Sequence, residues 1–196
     1  MNNKTEQFSE EQLERIGNTI IYLLSKINDV PKTKLLKLLY ILDEESIKRS
    51  GMPFLNLKYK VWHLGPVPER IFSDISSNEI SDEVIMLRDY ISIKKENKDG
   101  TYYNIESEFC SDEFSKSDIK FLNEIIEKFG KLTAKQLVAY THREGTLWSK
   151  IAKNQDLLVK FETKEKTYTD FEIDLTELIK GDKVKEAMHK EYQIFN

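Results

Sequence analysis

The amino-acid sequence predicts an α+β domain, predominantly α: a compact helical bundle with a small antiparallel β element at one edge. Three observations predict it. Leu13, Ile16, Ile20, Leu23, Leu24 and Ile27 recur at helical spacing and form one apolar stripe. Residues 35–42 are apolar on every side except for Lys37, which places a second helix at the centre of the fold. Short aromatic and β-branched runs at 59–62, 90–93 and 101–105 adjoin Gly-Pro or Asp-Gly turns, as hairpin strands do.

Each element has a local cause. Ser9 with Gln12 forms a capping box, so the first helix starts near Glu10, with Glu10 and Glu11 favourably placed in its first turn. Asn28-Asp29 breaks it, and Pro31 suits the first turn of the next, where a missing amide hydrogen costs nothing. That helix runs to about Ser50 and stops at Gly51. Beyond Leu42 the charges of Asp43, Glu44, Glu45, Lys48 and Arg49 predict that its end reaches the surface. After a loop over 52–58, the strand 59–62 leads into Gly65-Pro66 and Pro68, which redirect the chain into a short helix over 69–73. A helical turn or two is expected in 82–90, then the two hairpin strands around Asn97-Lys98-Asp99-Gly100.

A third long helix begins near Ser117, which offers a cap, and aligns Ile119, Leu122, Ile126 and Phe129 before Gly130 ends it. Thr133 with Gln136 makes a second capping box ahead of Ala134, Leu137, Val138 and Thr141. The tail holds a strand at 169–173 and an amphipathic helix over 182–195 carrying Val184, Ala187, Met188, Tyr192 and Phe195. The expected organisation is one domain over 1–160 with a C-terminal extension, 161–196, packed on it. No internal repeat is present.

A chain of 196 residues buries enough surface to fold without disulfides, roughly 70% of what its unfolded form exposes. The net charge of −4 speaks against nucleic acid as a partner, because phosphates attract basic domains. Lys32, Lys34, Lys37, Lys48 and Arg49 are candidates for a local basic patch, against a solvated helix face as the plainer alternative. The single cysteine, Cys110, has no partner for a disulfide and reads as a buried or incidental thiol. No apolar run reaches the ~20 residues that span a bilayer, and the N-terminus is polar, so a cytoplasmic location is expected by elimination.

The three histidines, His63, His142 and His189, show no metal-ligand spacing, and phosphate loops, nucleophile elbows and paired cysteines are missing. No catalytic residue, cofactor or metal is therefore expected. Asp43, Glu44 and Glu45 diverge by about 100° each on a helix and read as a solvated end. In an extended 58–63 segment, Tyr59, Val61 and His63 share one face, and Lys58, Lys60 and Trp62 the other. Trp62 either packs beneath a helix or anchors a protein partner, as exposed tryptophans do at interface hot spots. Further on, 140–148 ends one helix and turns through Gly145 to place Trp148 at the start of another. His142 either bonds the last carbonyls of its helix or joins Arg143 and Trp148 in a recognition surface. Trp62, His63, Arg143 and Trp148 are accordingly the candidate partner contacts, with Gly65, Pro66 and Val67 as a structural turn.

Leu36-Lys37-Leu38-Leu39-Tyr40, then Gly51, then Trp62-His63-x-Gly65-Pro66-Val67, resembles the N-terminal half of the Panacea antitoxin domain, also known as the SocA-like antitoxins. Thr141-His142-Arg143-Glu144 followed by Trp148 is similar to that family's distal motif, and the similarity spans roughly residues 15–155. The chain departs from the family at Ile41-Leu42-Asp43-Glu44-Glu45, and the segments 90–105 and beyond 160 lie in variable regions. The resemblance implies an antitoxin of a prokaryotic or phage toxin–antitoxin system that neutralises a cognate protein toxin by direct contact. Some relatives are adaptors that deliver a toxin to an ATP-dependent protease, which is one alternative. An enzyme working in a cleft around His63, His142 and the 43–45 carboxylates is a second, and a DNA-binding regulator, disfavoured by the acidic balance, a third.

Overall fold

The computed structural model describes residues 8–76, 87–98 and 100–195. The reciprocal Ser9–Gln12 cap starts α1, Glu10–Lys26, which buries Ile16, Ile20 and Leu23 as its stripe predicts. Pro31 sits just before α2, Lys32–Ser50, as its cap residue rather than in its first turn. Residues 35–42 of α2 are all buried. The helix closes at Gly51, whose φ of 83° lets its N–H reach Ile47 O at 2.8 Å.

Two expectations about α2 need correction. Its end does surface, with Glu45 and Lys48 half-exposed and Arg49 exposed, but not from Asp43 on, since Asp43 and Glu44 are 0% and 3% exposed. Asp43 turns inward because the 55–57 loop offers it backbone donors. Asn56 N (3.3 Å) bonds Asp43 Oδ1 as Leu55 N does, and Leu57 N (3.1 Å) and Tyr59 Oη (2.8 Å) bond Oδ2. Burial raises its pKa and those donors oppose the rise. Glu44 accepts from Tyr40 Oη at 3.2 Å and pairs with Lys48 at 3.1 Å. The basic patch also dissolves. Lys34 is buried and donates to Gly130 O at 2.8 Å, Lys37 is buried, and Arg49 pairs with Glu124.

β1, Tyr59–Trp62, and β2, Gly65–Val67, form a tight antiparallel hairpin in which Trp62 pairs with Gly65. Tyr59 and Val61 point into the core, with Lys60 and Trp62 on the outer face. The other edge of β1 is covered by the tail. His63 N donates to Thr167 O and Val61 N to Phe171 O, both at 2.9 Å, before β5, Glu172–Ile173, completes the three-stranded sheet β2-β1-β5. The strand expected over 169–173 is thus shorter but in place. A short helix, α3 (Glu69–Asp74), follows the first hairpin, and β3 (Ile91–Asn97) with β4 (Gly100–Ile105) forms the second. The helical turns expected in 82–90 fall largely outside the described residues, as does Asp99 of the hairpin turn.

α4, Lys116–Phe129, is capped by Ser115 rather than Ser117, because Asp118 closes a capping box with Ser115. α5 (Ala134–His142) starts at the Thr133–Gln136 box as expected. α6 (Leu147–Asn154) and α7 (Leu157–Glu162) then lead to a 3-10 turn at Leu175–Leu178 and the final helix α8, Lys183–Phe195. α8 buries its expected stripe only in part: Val184, Ala187 and Met188 face solvent, whereas Tyr192 is half-buried. His189 docks beside it, its Nδ1 2.8 Å from Gly51 O, with Lys185 O packed where a Cβ on Gly51 would lie. The side chain of Phe195 lies outside the described set. Cys110 is exposed, not buried.

Replacing Asp43 with Ala strands two buried amide donors, Leu55 N and Leu57 N, and the buried Tyr59 hydroxyl at once. Asp43→Ala is expected to lose about 3 kcal/mol of unfolding free energy in urea titration. A loss below about 0.5 kcal/mol would show that the carboxylate does not hold the 55–57 loop.

Candidate functional site

Two distant stretches of chain meet at Lys37. The β1–β2 hairpin lies against the middle of α2, and the Lys37 ammonium, 0% exposed, donates to Pro66 O at 2.6 Å. Among the described residues it makes no ion pair. Burial without a counter-charge lowers its pKa to about 7.

Gly65 makes this approach possible. Its φ is 101°, and a Cβ there would lie 2.8 Å from Lys37 Cε, 2.7 Å from Thr141 Oγ1 and 3.3 Å from His142 Nε2. The absent side chain is the space in which the hairpin, α2 and the end of α5 come together.

The second stretch is built by a sharp turn. α5 ends at His142; the chain reverses through Gly145, with φ 86°, and Thr146 Oγ1 accepts from Ser149 N to cap α6. The reversal lays Trp148 over His142, with ring centroids 3.6 Å apart and planes 5° from parallel. Trp148 is buried, and its indole N–H donates to Trp62 O at 2.8 Å. Phe161 of α7 stacks on Trp148 at 6.0 Å. A stack and one hydrogen bond therefore clamp the distal turn onto the hairpin.

The electrostatics favour neutral imidazoles. His142 is pushed down to about 4, first by burial and then by the charges of Lys37 and His63. His63 is lowered by burial, then by Lys164 and Lys37. His142 does not bond the last carbonyls of α5, and its Nε2 is buried without a partner among the described residues. Trp62 packs its ring edge-to-face on Phe72 at 4.8 Å, and its Nε1 is likewise buried and unpaired.

Of the four candidate contacts, Trp62, His63 and Trp148 are brought together and Arg143 is not. Arg143 is exposed, its guanidinium 3.7 Å from the Tyr140 ring centre and its Nε donating to Tyr140 O. Trp148 faces inward and positions Trp62 rather than presenting a surface. The two histidines converge, but the 43–45 carboxylates do not join them: Asp43 serves the 55–57 loop, and Glu45 pairs with Lys48 and Lys128. Sequence reasoning missed Lys37 and Thr141 as members of the site. The one signal for Lys37 was its isolation as a lone charge in an apolar helix. Among the described residues no group of three His, Cys, Asp or Glu could hold a metal ion, and no helix is long and apolar enough to cross a membrane.

The family model described as Antitoxin SocA-like, Panacea domain, matches residues 35–149. Those bounds run from the buried stretch of α2 to the first turn of α6, so both halves of the clamp lie inside them. Comparison with curated proteins and with solved structures gives no match.

Gly65→Ala places a methyl group in a left-handed backbone and against Lys37 Cε and Thr141 Oγ1. The substitution is expected to cost about 2 kcal/mol or more in chemical denaturation. An unchanged denaturation midpoint would contradict the close approach described here.

Proposed function

The chain belongs to the SocA-like antitoxin family, which carries the Panacea domain, and on that footing we propose that it neutralises a cognate protein toxin by direct contact. The carrying observation is the match over 35–149, which takes in α2, the β1–β2 hairpin and the end of α5 that meet at Lys37. The proposed contact surface is the tip of the β1–β2 hairpin, where Trp62 and His63 are part-exposed and Leu64 is 42% exposed, with Arg143 as a separate outer contact. Trp148 backs this surface from within, and Gly65, Pro66 and Val67 hold its shape. Binding of this kind uses shape and charge, and the acidic balance of −4 suits a basic toxin surface. We place this activity in the cytoplasm of a prokaryotic or phage-infected cell, with the 161–196 extension part of the same folded unit.

Co-expression with the product of the adjacent reading frame tests the proposal. Growth inhibited by the neighbour alone is expected to be restored by this chain, with the two proteins co-purifying and the neighbour at undiminished level. Rescue with protease-dependent loss of the neighbour would replace blocking by delivery for degradation. Inhibition that persists in the presence of this chain would overturn the antitoxin reading.

A further inference from the structure

We propose that the cavity between α2 and the β1–β2 hairpin is a receptor for a single carboxylate, presented by an acidic side chain of the protein partner. The inference rests on the antitoxin reading for the protein source of that carboxylate; the chemistry of the cavity stands apart from it.

The cavity measures about 70 Å³ and is lined by Leu36, Lys37, Trp62, His63, Leu64 and Phe72 among others, with Lys32 at its wall and no acidic residue among the described residues. A water needs only about 10–15 Å³, so several heavy atoms have room. Among its polar members, Lys37 and the Trp62 indole carry hydrogens not committed to a partner, beside Thr33 and a neutral His63, which can each donate or accept. An ammonium carries three N–H groups and no acceptor. Lys37 commits one to Pro66 O, and it forms no other hydrogen bond among the described residues. The indole N–H of Trp62, which can only donate, is buried and unpaired among the described residues. Lys32, 5.0 Å from the Phe72 ring centre, adds positive field.

Unspent donors and a buried lysine without a counter-charge, which an anion beside it would hold protonated, call for an occupant that accepts and carries negative charge. Apolar walls of Leu36, Leu64 and Phe72 call for a short hydrocarbon stem behind it. A carboxylate on one or two methylenes meets both conditions. Phosphate meets them less well, because it needs donors on more sides, as backbone nests and arginine forks supply. Half-exposed Leu64 stands beside the cavity, within the proposed contact surface, so a partner's Asp or Glu entering here would be desolvated at the centre of the contact.

The test has two arms. In the first, propionate, which reproduces the glutamate side chain, is titrated into the full chain while the indole N–H resonance of Trp62 is followed by NMR. Saturable movement of that resonance is expected, with affinity at least about tenfold weaker in Lys37→Met, whose melting temperature stays at or above the parent's because a buried charge is gone. Trp62→Phe, which keeps the ring and loses the N–H, is expected to weaken propionate binding as well. No saturable shift, equal binding by Lys37→Met, or phosphate saturating below propionate would overturn the carboxylate receptor. Ordered water alone in the cavity predicts the first of these results.

In the second arm, the neutralised toxin is the ligand: Lys37→Met is expected to weaken the complex at least about tenfold, and propionate to compete with it. Propionate binding combined with a complex indifferent to Lys37→Met would overturn the protein source and leave a free carboxylate as ligand. The first arm needs no toxin, so its failure is separate from a failure of the antitoxin reading.

Discussion

Lys37 is brought wholly out of water in the middle of the central helix, and the surrounding architecture has to satisfy it. An ammonium in such a place costs several kcal/mol unless donors are matched and the charge is shed. The fold answers with one short hydrogen bond to Pro66 O and with a shifted proton equilibrium. Both require the hairpin to lie directly on α2, which requires glycine at 65, which in turn sets where Thr141 and His142 sit. The unfolded lysine titrates near ~10.4, the folded one near 7. Between those values the folded state has released a proton that the unfolded state keeps, so stability rises with pH across that window and levels off below it.

Asp43 is the counterpart on the same helix. Six residues further on, roughly 9 Å along the axis, its carboxylate gathers backbone donors from the 55–57 loop and the hydroxyl of Tyr59. Tyr59 opens β1, whose far end carries Trp62 and the turn to Gly65. The two buried charges therefore fix the segment 55–67 at both ends, one through an acceptor and one through a donor. The tail covers the remaining edge of β1 through Thr167, Thr169 and Phe171, so the outer face of Trp62 is set from three directions. Glu44 and Glu45, beside Asp43, face Lys48 and Lys128 and leave the site to cationic and neutral groups.

Most local signals were legible in the sequence where a residue acts on its own neighbours, although the cap of α4 sits at Ser115 rather than Ser117. The capping boxes at Ser9 and Thr133, the stop at Gly51, the apolar run 35–42 and the strand alternation at 59–62 all appear where spacing and turn chemistry put them. What could not be read depends on partners remote in sequence. Asp43 and Glu44 look like a solvated helix end until the 55–57 loop and Tyr40 are placed around them. Lys34 and Lys37 look like surface lysines until Gly130 and Pro66 offer carbonyls. The docking of α8 depends for the same reason on a remote pair, Gly51 and His189, 138 positions apart, as well as on Tyr192 of its own stripe. Of the site, the motif residues stood out, whereas the stacking of His142 on Trp148 and the bond from Trp148 to Trp62 needed the fold.

The protonation of Lys37 is the most direct probe of this account, because the hairpin approach, the burial of the ammonium and the clamp all bear on it. A heteronuclear NMR titration of the Lys37 Nζ in the intact chain is expected to give a midpoint near 7, far from the other lysines. A midpoint close to that of an exposed lysine, ~10.4, would mean that water or a counter-charge reaches the ammonium and that the site is not assembled as described.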